Sequence, residues 1–183
     1  MKKNIVILGS TGSIGKTTFS ILKKNKHFFN VQLLTTNKNI NELIKQSKIF
    51  DVKNLIVTDK KKFLVAKKIL KNKKINIFNN FDCFKKIFKK KVDYTMSSIS
   101  GLDGLEPTLN IIKFSKKIAI ANKESIICAW SLIKKEIIKH KTIFIPIDSE
   151  HFSIWSLLND SNKKKVDEII ITASGGPFLN LPI

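Results

Sequence analysis

With 183 residues, 43% of them hydrophobic and 26% charged, the chain can bury a core, which excludes intrinsic disorder. No apolar run approaches the roughly 18 residues that a membrane span needs, and the short apolar stretch at residues 5–8 runs into a glycine turn rather than a signal-peptide cleavage site, so a cytoplasmic protein off the membrane is expected. The net charge of +20 invites a nucleic-acid reading, but every one of the 34 Lys and Arg positions is lysine, and without the arginine fork the charge reads as solvated helix faces.

The elements alternate strand and helix along the chain. Residues 4–8 form an apolar strand, and Ile14, Thr18, Ile21 and Leu22 then recur at helical spacing. Residues 31–35 are a second strand, after which Asn39 is placed to cap a helix carrying Ile40, Leu43, Ile44 and Ile49. Strands at 55–57, 75–78, 94–96 and 118–121 are each followed by a helical pattern: Phe63 to Leu70, then 81–88, 105–114 and 126–138. Pro107 suits a first helical turn. A strand at 142–147 tolerates Pro146 near its end. Beyond it lie a polar cluster with a short apolar helix at 148–158, a polar loop at 159–165 and a strand-like run at 166–172. Strands apolar throughout, interleaved with amphipathic helices, indicate an α/β fold with a doubly wound, Rossmann-like parallel sheet. The change of texture after Ile147 divides a nucleotide-binding domain at 1–148 from the start of an α+β catalytic domain at 149–183. A polar loop and one further strand added to a finished sheet read as part of a longer protein. Cys83 and Cys128 have no partner at metal-site spacing and are expected to be buried, reduced thiols.

The stretch GSTGSIGKT mixes two phosphate-binding signatures. A P-loop would need glycine at position 10, which is Ser10, so that loop would have the wrong length. Gly9, Gly12 and Gly15 instead follow a strand and open a helix, the context of a dinucleotide turn. The backbone N–H groups of residues 11–15 and the positive helix end would then take a pyrophosphate; a glycine turn with no ligand is the alternative. An NAD enzyme places an acid at the end of the second strand, but here the chain reads Thr35-Thr36-Asn37-Lys38-Asn39. Lys38 supplies positive charge where an adenosine 2′-phosphate would lie, which favours NADP(H), unless it is one more surface lysine.

Two polar clusters fall at other strand ends. One is Asn122-Lys123-Glu124-Ser125 and the other Asp148-Ser149-Glu150-His151. On an extended backbone Asp148 and Glu150 point to one side and would share a hard divalent cation, Mg²⁺ or Mn²⁺. The alternative is an acidic helix start, with Asp148 as cap and Glu150 in the first turn. Ser174-Gly175-Gly176 can take a phosphate or simply bend the chain.

Taken together, ILGSTGSIG, SGLDGLEPTL, IANKES, IPIDSEH and ITASGGPF resemble, in order and spacing, the 1-deoxy-D-xylulose 5-phosphate reductoisomerases of non-mevalonate isoprenoid biosynthesis. The resemblance implies an NADPH- and metal-dependent enzyme, homodimeric at full length. It rearranges a ketose phosphate to a branched aldehyde and reduces it to 2-C-methyl-D-erythritol 4-phosphate. By matched position it implies cofactor contacts at Thr11, Gly12, Ser13, Ile14, Asn37, Lys38, Asn39, Asn122 and Glu124. Substrate contacts are implied at Lys123, Ser149, Glu150 and Ser174, with Lys123 and Glu150 catalytic. Asp148 and Glu150 would hold the cation, Mn²⁺ or Mg²⁺ with Co²⁺ as a further option. Asn37 stands where the family usually has glycine, and asparagine also tolerates positive φ. The family's lid, further phosphate ligands, third metal carboxylate and C-terminal helical domain are expected past Ile183, so these residues alone are expected to bind NADPH without turnover. Rival readings are a semialdehyde dehydrogenase, which would need a nucleophilic cysteine in a catalytic motif, a nucleotide-sensing module without catalysis, and a basic nucleic-acid binder.

Overall fold

The computed structural model describes residues 1–147, 149–160 and 166–170. Two compact units divide the chain, Met1–Ile145 and Pro146–Ile183. The first alternates β1 (Lys3–Leu8), α1 (Ser13–Lys24), β2 (Phe29–Thr36), α2 (Ile40–Phe50), β3 (Asn54–Val57), α3 (Lys60–Ile69) and β4 (Asn76–Phe78). It continues through α4 (Phe84–Ile87), β5 (Tyr94–Ser97), α5 (Leu105–Ile112), β6 (Lys117–Ile120) and α6 (Lys123–Lys139), and β7 (Ile143–Pro146) ends at the boundary. The second unit contributes α7 (Ser149–Asp160). Among the described residues no helix is long and apolar enough to cross a membrane.

The sheet has the order β4-β3-β2-β1-β5-β6-β7, and every pair with an assigned register is parallel, as a doubly wound fold requires. Both faces are covered, which is why the central strands carry apolar residues on both sides, as in residues 5–8 of β1 and 118–120 of β6. Val6 and Leu8 join Leu33, Ile56, Ile118 and Ile120 in a cluster with Ile111, Ile112 and Ile133 of α5 and α6. Phe84, Phe88 and Phe114 extend that cluster, their ring centroids 5.7 to 6.3 Å apart. Ile5 and Ile7 alternate with Val6 and Leu8 and so face the opposite side, beneath α1. There Phe19 of α1 meets Phe50 of α2 edge to face at 5.3 Å. Burying a side chain of this size contributes about 1.5–3 kcal/mol.

Three helix starts are capped by the residues that precede them. Asn39 accepts the Glu42 N–H at 3.2 Å, Asp59 that of Lys62 at 2.8 Å and Asn122 that of Ser125 at 2.9 Å. The third cap corrects a boundary: α6 begins at Lys123 rather than 126, because the polar run is its cap and first turn. The helix expected over 81–88 shrinks to Phe84–Ile87. Residues 166–170 form no strand, and Ile169 and Ile170 are exposed; β-propensity makes a strand only where a neighbouring ladder receives it. Cys83 is buried as expected, and burial pushes its thiol up to about 11. Cys128 is exposed, contrary to expectation, because it sits on the solvent side of α6.

Asp93, at the entry to β5, accepts both the Asn4 N–H and the Lys116 ammonium at 2.8 Å. Lys116 first, and then the Asn4 amide, hold its carboxyl below the usual carboxylate range. A depressed folded pKa gives stability that is full above the ordinary carboxylate value and is lost as pH falls through the lower folded value. Asp93→Asn is therefore expected to cost stability at neutral pH, by an amount that solvent screening keeps small, and so to flatten the acid limb of a stability–pH curve below about pH 4, where the two proteins converge. Urea melts at pH 3 and pH 7 check this; parallel losses in both proteins would refute it.

Candidate functional site at the carboxyl ends of the central strands

The strand order makes β1 and β5 neighbours. The chain leaves β1 toward β2 on one side and β5 toward β6 on the other, which opens a crevice at their carboxyl ends. A cleft of about 650 Å³ lies there, lined by Thr11, Gly12, Thr36, Asn37, Thr58 and Ser98 among others.

The glycine loop is held at two points where only glycine fits. Gly9 has φ +77°, and a Cβ there would come within 2.7 Å of the Ser98 carbonyl oxygen. A Cβ on Gly15 would lie 2.2 Å from the Gly9 carbonyl oxygen, so α1 sits directly against the loop. Gly12 is less crowded, with its nearest neighbour at 3.4 Å. From the β2 side, Thr35 Oγ1 accepts the Gly9 N–H at 2.7 Å and the Thr35 carbonyl accepts the Ser10 N–H at 2.9 Å. From the β5 side, Ser98 Oγ donates to the Leu8 carbonyl at 2.7 Å. The N–H groups of Thr11, Ser13 and Ile14 donate to nothing among the described residues, and the first turn of α1 has no acid. Free donors at a helix start with no competing carboxylate form a ready anion cradle.

At the end of β2 the Thr11 and Thr36 hydroxyls lie 2.6 Å apart, and Asn37 Nδ2 donates to Thr58 Oγ1 at 2.8 Å. Asn37, Lys38 and Asn39 are exposed, and Asn39 also caps α2. Asn37 does not use positive φ; among the described residues only Asp51 and Lys141 do so apart from glycine. Asp59, the acid after β3, is committed to capping α3. The β2 terminus therefore presents a lysine and no free carboxylate.

Asn122 is buried, and its whole side chain is engaged. Its Oδ1 caps α6, while Nδ2 donates to the carbonyls of Ile99 (2.7 Å) and Gly101. It thereby straps down the loop after β5, and that loop's Ser98, Ile99 and Ser100 line the cleft. Gly104 is required by this contact, since a Cβ there would be 2.4 Å from Asn122 Nδ2. Lys123 and Glu124 are exposed in the first turn of α6, where the helix dipole favours the glutamate and opposes the lysine.

In the second unit, Ser149 and Glu150 open α7, so the alternation argued for an extended backbone does not hold at Glu150; successive helical residues turn by about 100°. Asp148 and Ser174 lie outside the described residues, as do the side chains of Ser149 and Glu150. Among the described residues no three His, Cys, Asp or Glu side chains gather into a cation site.

The structure thus brings Thr11, Gly12 and Asn37 to one cleft. Thr58, Ser98 and Ile99 were not legible from spacing. Finding them needs the strand order, because the ends of β3 and β5 belong to the site only when those strands flank β2 and β1.

The family model described as 1-deoxy-D-xylulose 5-phosphate reductoisomerase matches residues 5–130, and that of its C-terminal domain matches residues 144–183. The chain is 60% identical to the 1-deoxy-D-xylulose 5-phosphate reductoisomerase of Pelagibacter ubique over 99% of its own length and 47% of that protein's. It is similar to the Zymomonas mobilis reductoisomerase solved in complex with NADPH, with TM-score 0.88, 33% identity, and coverage of 100% of this chain and 48% of that one. A reductoisomerase structure in complex with NADPH, fosmidomycin and magnesium matches with TM-score 0.74 and 28% identity, covering 81% of this chain and 37% of that one. The chain spans about half the length of the curated relatives it matches.

Proposed function

The chain belongs to the 1-deoxy-D-xylulose 5-phosphate reductoisomerase family, and from that premise we propose that its first unit is the NADPH site of such an enzyme. The reaction is the rearrangement and reduction of 1-deoxy-D-xylulose 5-phosphate to 2-C-methyl-D-erythritol 4-phosphate. One observation carries the coenzyme assignment: the loop is closed by Gly9 and Gly15 so tightly that no side chain fits, beside three backbone N–H groups that have no partner among the described residues. That arrangement fits a diphosphate. The organisation follows: residues 1–148 bind NADPH, and 149–183 begin a catalytic domain. At full length the protein would be a cytoplasmic homodimer.

In this reading Thr11, Gly12, Ser13 and Ile14 hold the diphosphate through their backbone. Asn37, Lys38 and Asn39 receive the adenosine end, Lys38 by charge. Asn122 and Glu124 border the coenzyme from α6, Asn122 chiefly by holding the loop after β5 in place. Lys123 reaches the substrate, and its ammonium steadies negative charge on the substrate oxygens. Asp148 and Glu150 would hold Mg²⁺ or Mn²⁺, Ser149 and Glu150 would touch substrate, and Ser174 would receive its phosphate. The coenzyme supplies hydride, and the cation polarises vicinal oxygens of the substrate.

Lys38 provides the test. A charge-assisted hydrogen bond contributes about 1.5–3 kcal/mol, so NADPH is expected to bind at least about tenfold more tightly than NADH, and Lys38→Glu is expected to erase the difference. Fluorescence titration of both nucleotides against both proteins measures this. Equal affinities in the unmodified chain would reject the 2′-phosphate assignment.

A further inference from the structure

We infer that Gln46, on α2, is a positioning residue for the coenzyme's diphosphate: from inside the protein it sets the orientation of the Ser10–Thr11 peptide. The inference rests on the NADPH reading above. Gln46 is 1% exposed, and its Nε2 donates to the Ser10 carbonyl at 3.0 Å and to Glu42 Oε1 at 3.2 Å. Both partners are acceptors, so the amide has one workable orientation; flipped, its oxygen would face two oxygens. The cost of that orientation is visible, because Gln46 Oε1 is buried with no partner among the described residues. Burying half an amide unpaired is unfavourable where an apolar side chain of the same shape would pack freely. What the buried glutamine accomplishes lies at its other end.

Ser10 is fully buried, and its N–H is already given to Thr35. Its Oγ also donates to the Thr35 carbonyl at 3.2 Å, so the Ser10 carbonyl is the group through which the peptide joining Ser10 to Thr11 is itself held. No peptide in the described residues is cis, and in a trans peptide the carbonyl and the following N–H point in opposite directions. With the Ser10 carbonyl drawn back to Gln46, the Thr11 N–H points away from the buried amide, on the stretch of loop where Thr11 and Gly12 line the cleft. Thr11 is one of the residues whose N–H has no acceptor among the described residues. Without the Gln46 donor that peptide can rotate, and the N–H is no longer fixed toward an anion.

The test compares two probes on the whole chain. Gln46→Met keeps the shape and removes the donor; Gln46→Glu keeps the shape and places oxygen against the Ser10 carbonyl. NADPH is titrated alongside adenosine 2′-phosphate, which carries the adenosine end and no diphosphate, with NMR shifts as the readout for the weaker ligand. The expected result is an NADPH dissociation constant raised about tenfold in Gln46→Met and more in Gln46→Glu, with adenosine 2′-phosphate changed by less than about twofold in both. Equal weakening of both ligands would mark a general lesion and overturn the inference, as would unchanged NADPH affinity. If the unmodified chain binds no NADPH, the coenzyme reading itself fails and takes this inference with it; if it binds NADPH and the variants match it, only the role of Gln46 falls.

Discussion

Gly15→Ala is expected to cut NADPH affinity by at least about a hundredfold and to lower the melting temperature by roughly 4–8 °C. The new methyl would sit 2.2 Å from the Gly9 carbonyl oxygen and 2.7 Å from the Ser10 Cα. Both neighbours are backbone, so no side chain can swing away, and either α1 or the loop must shift by about an ångström. Overpacking of this kind costs about 1–3 kcal/mol, from which alanine's helix preference over glycine returns up to about 1. With backbone as the clashing neighbour the cost falls at the upper end of that range, and the net, about 2 kcal/mol, corresponds to the stated shift for a chain of this size. The affinity loss is larger because the anion cradle is the object displaced: several hydrogen bonds to a charged diphosphate loosen together, each contributing about 1.5–3 kcal/mol. Thermal melts and coenzyme titration measure the two effects separately. Unchanged NADPH binding would show that the helix can withdraw at no cost, and the cradle would not be where the diphosphate sits.

Asn122→Ala should be the most destabilising polar substitution, by about 3 kcal/mol. It removes a helix cap and leaves the Ile99 and Gly101 carbonyls without their donor. Asn122→Asp separates the two roles. The carboxylate still caps α6, but two carbonyls now face a negative charge, which raises its pKa in the folded state. A raised folded pKa favours the protonated form, so this variant is expected to regain stability as pH falls toward 5 and to lose it as pH rises. Asn122→Ala has no such dependence. Because the strapped loop lines the cleft, both variants are expected to weaken NADPH binding about tenfold even when fully folded. Denaturant melts across pH 5–8 with parallel coenzyme titration decide the matter; identical pH profiles for the two variants would remove the strap.

The local reading was most successful where one short segment carries its own signal. The strands of the first unit, the Asn39 cap and the glycine turn after β1 all depend on residues within a short distance of one another along the chain. It erred where the outcome depends on what lies alongside. Residues 166–170 have strand-like composition and no ladder, and Cys128 reads as a buried thiol until α6 is set with its other side on the sheet. For the acidic pair only the assumed backbone changes: Glu150 lies in helical rather than extended geometry, because Ser149 and Glu150 already belong to α7, while Asp148 lies outside the described residues.

By itself, then, the amino-acid order determined that this is a parallel α/β protein whose first strand passes through a glycine turn into a helix. Periodicity, caps and the steric demands of glycine act over a few residues. Tertiary structure alone decided that β5 lies beside β1, that Ser98 closes over Gly9, and that Asn122 and Gln46 reach into loops 21 and 36 residues away. Those contacts follow from sheet order, and sheet order is settled by how all the helices together cover two apolar faces, a property no single stretch of chain contains.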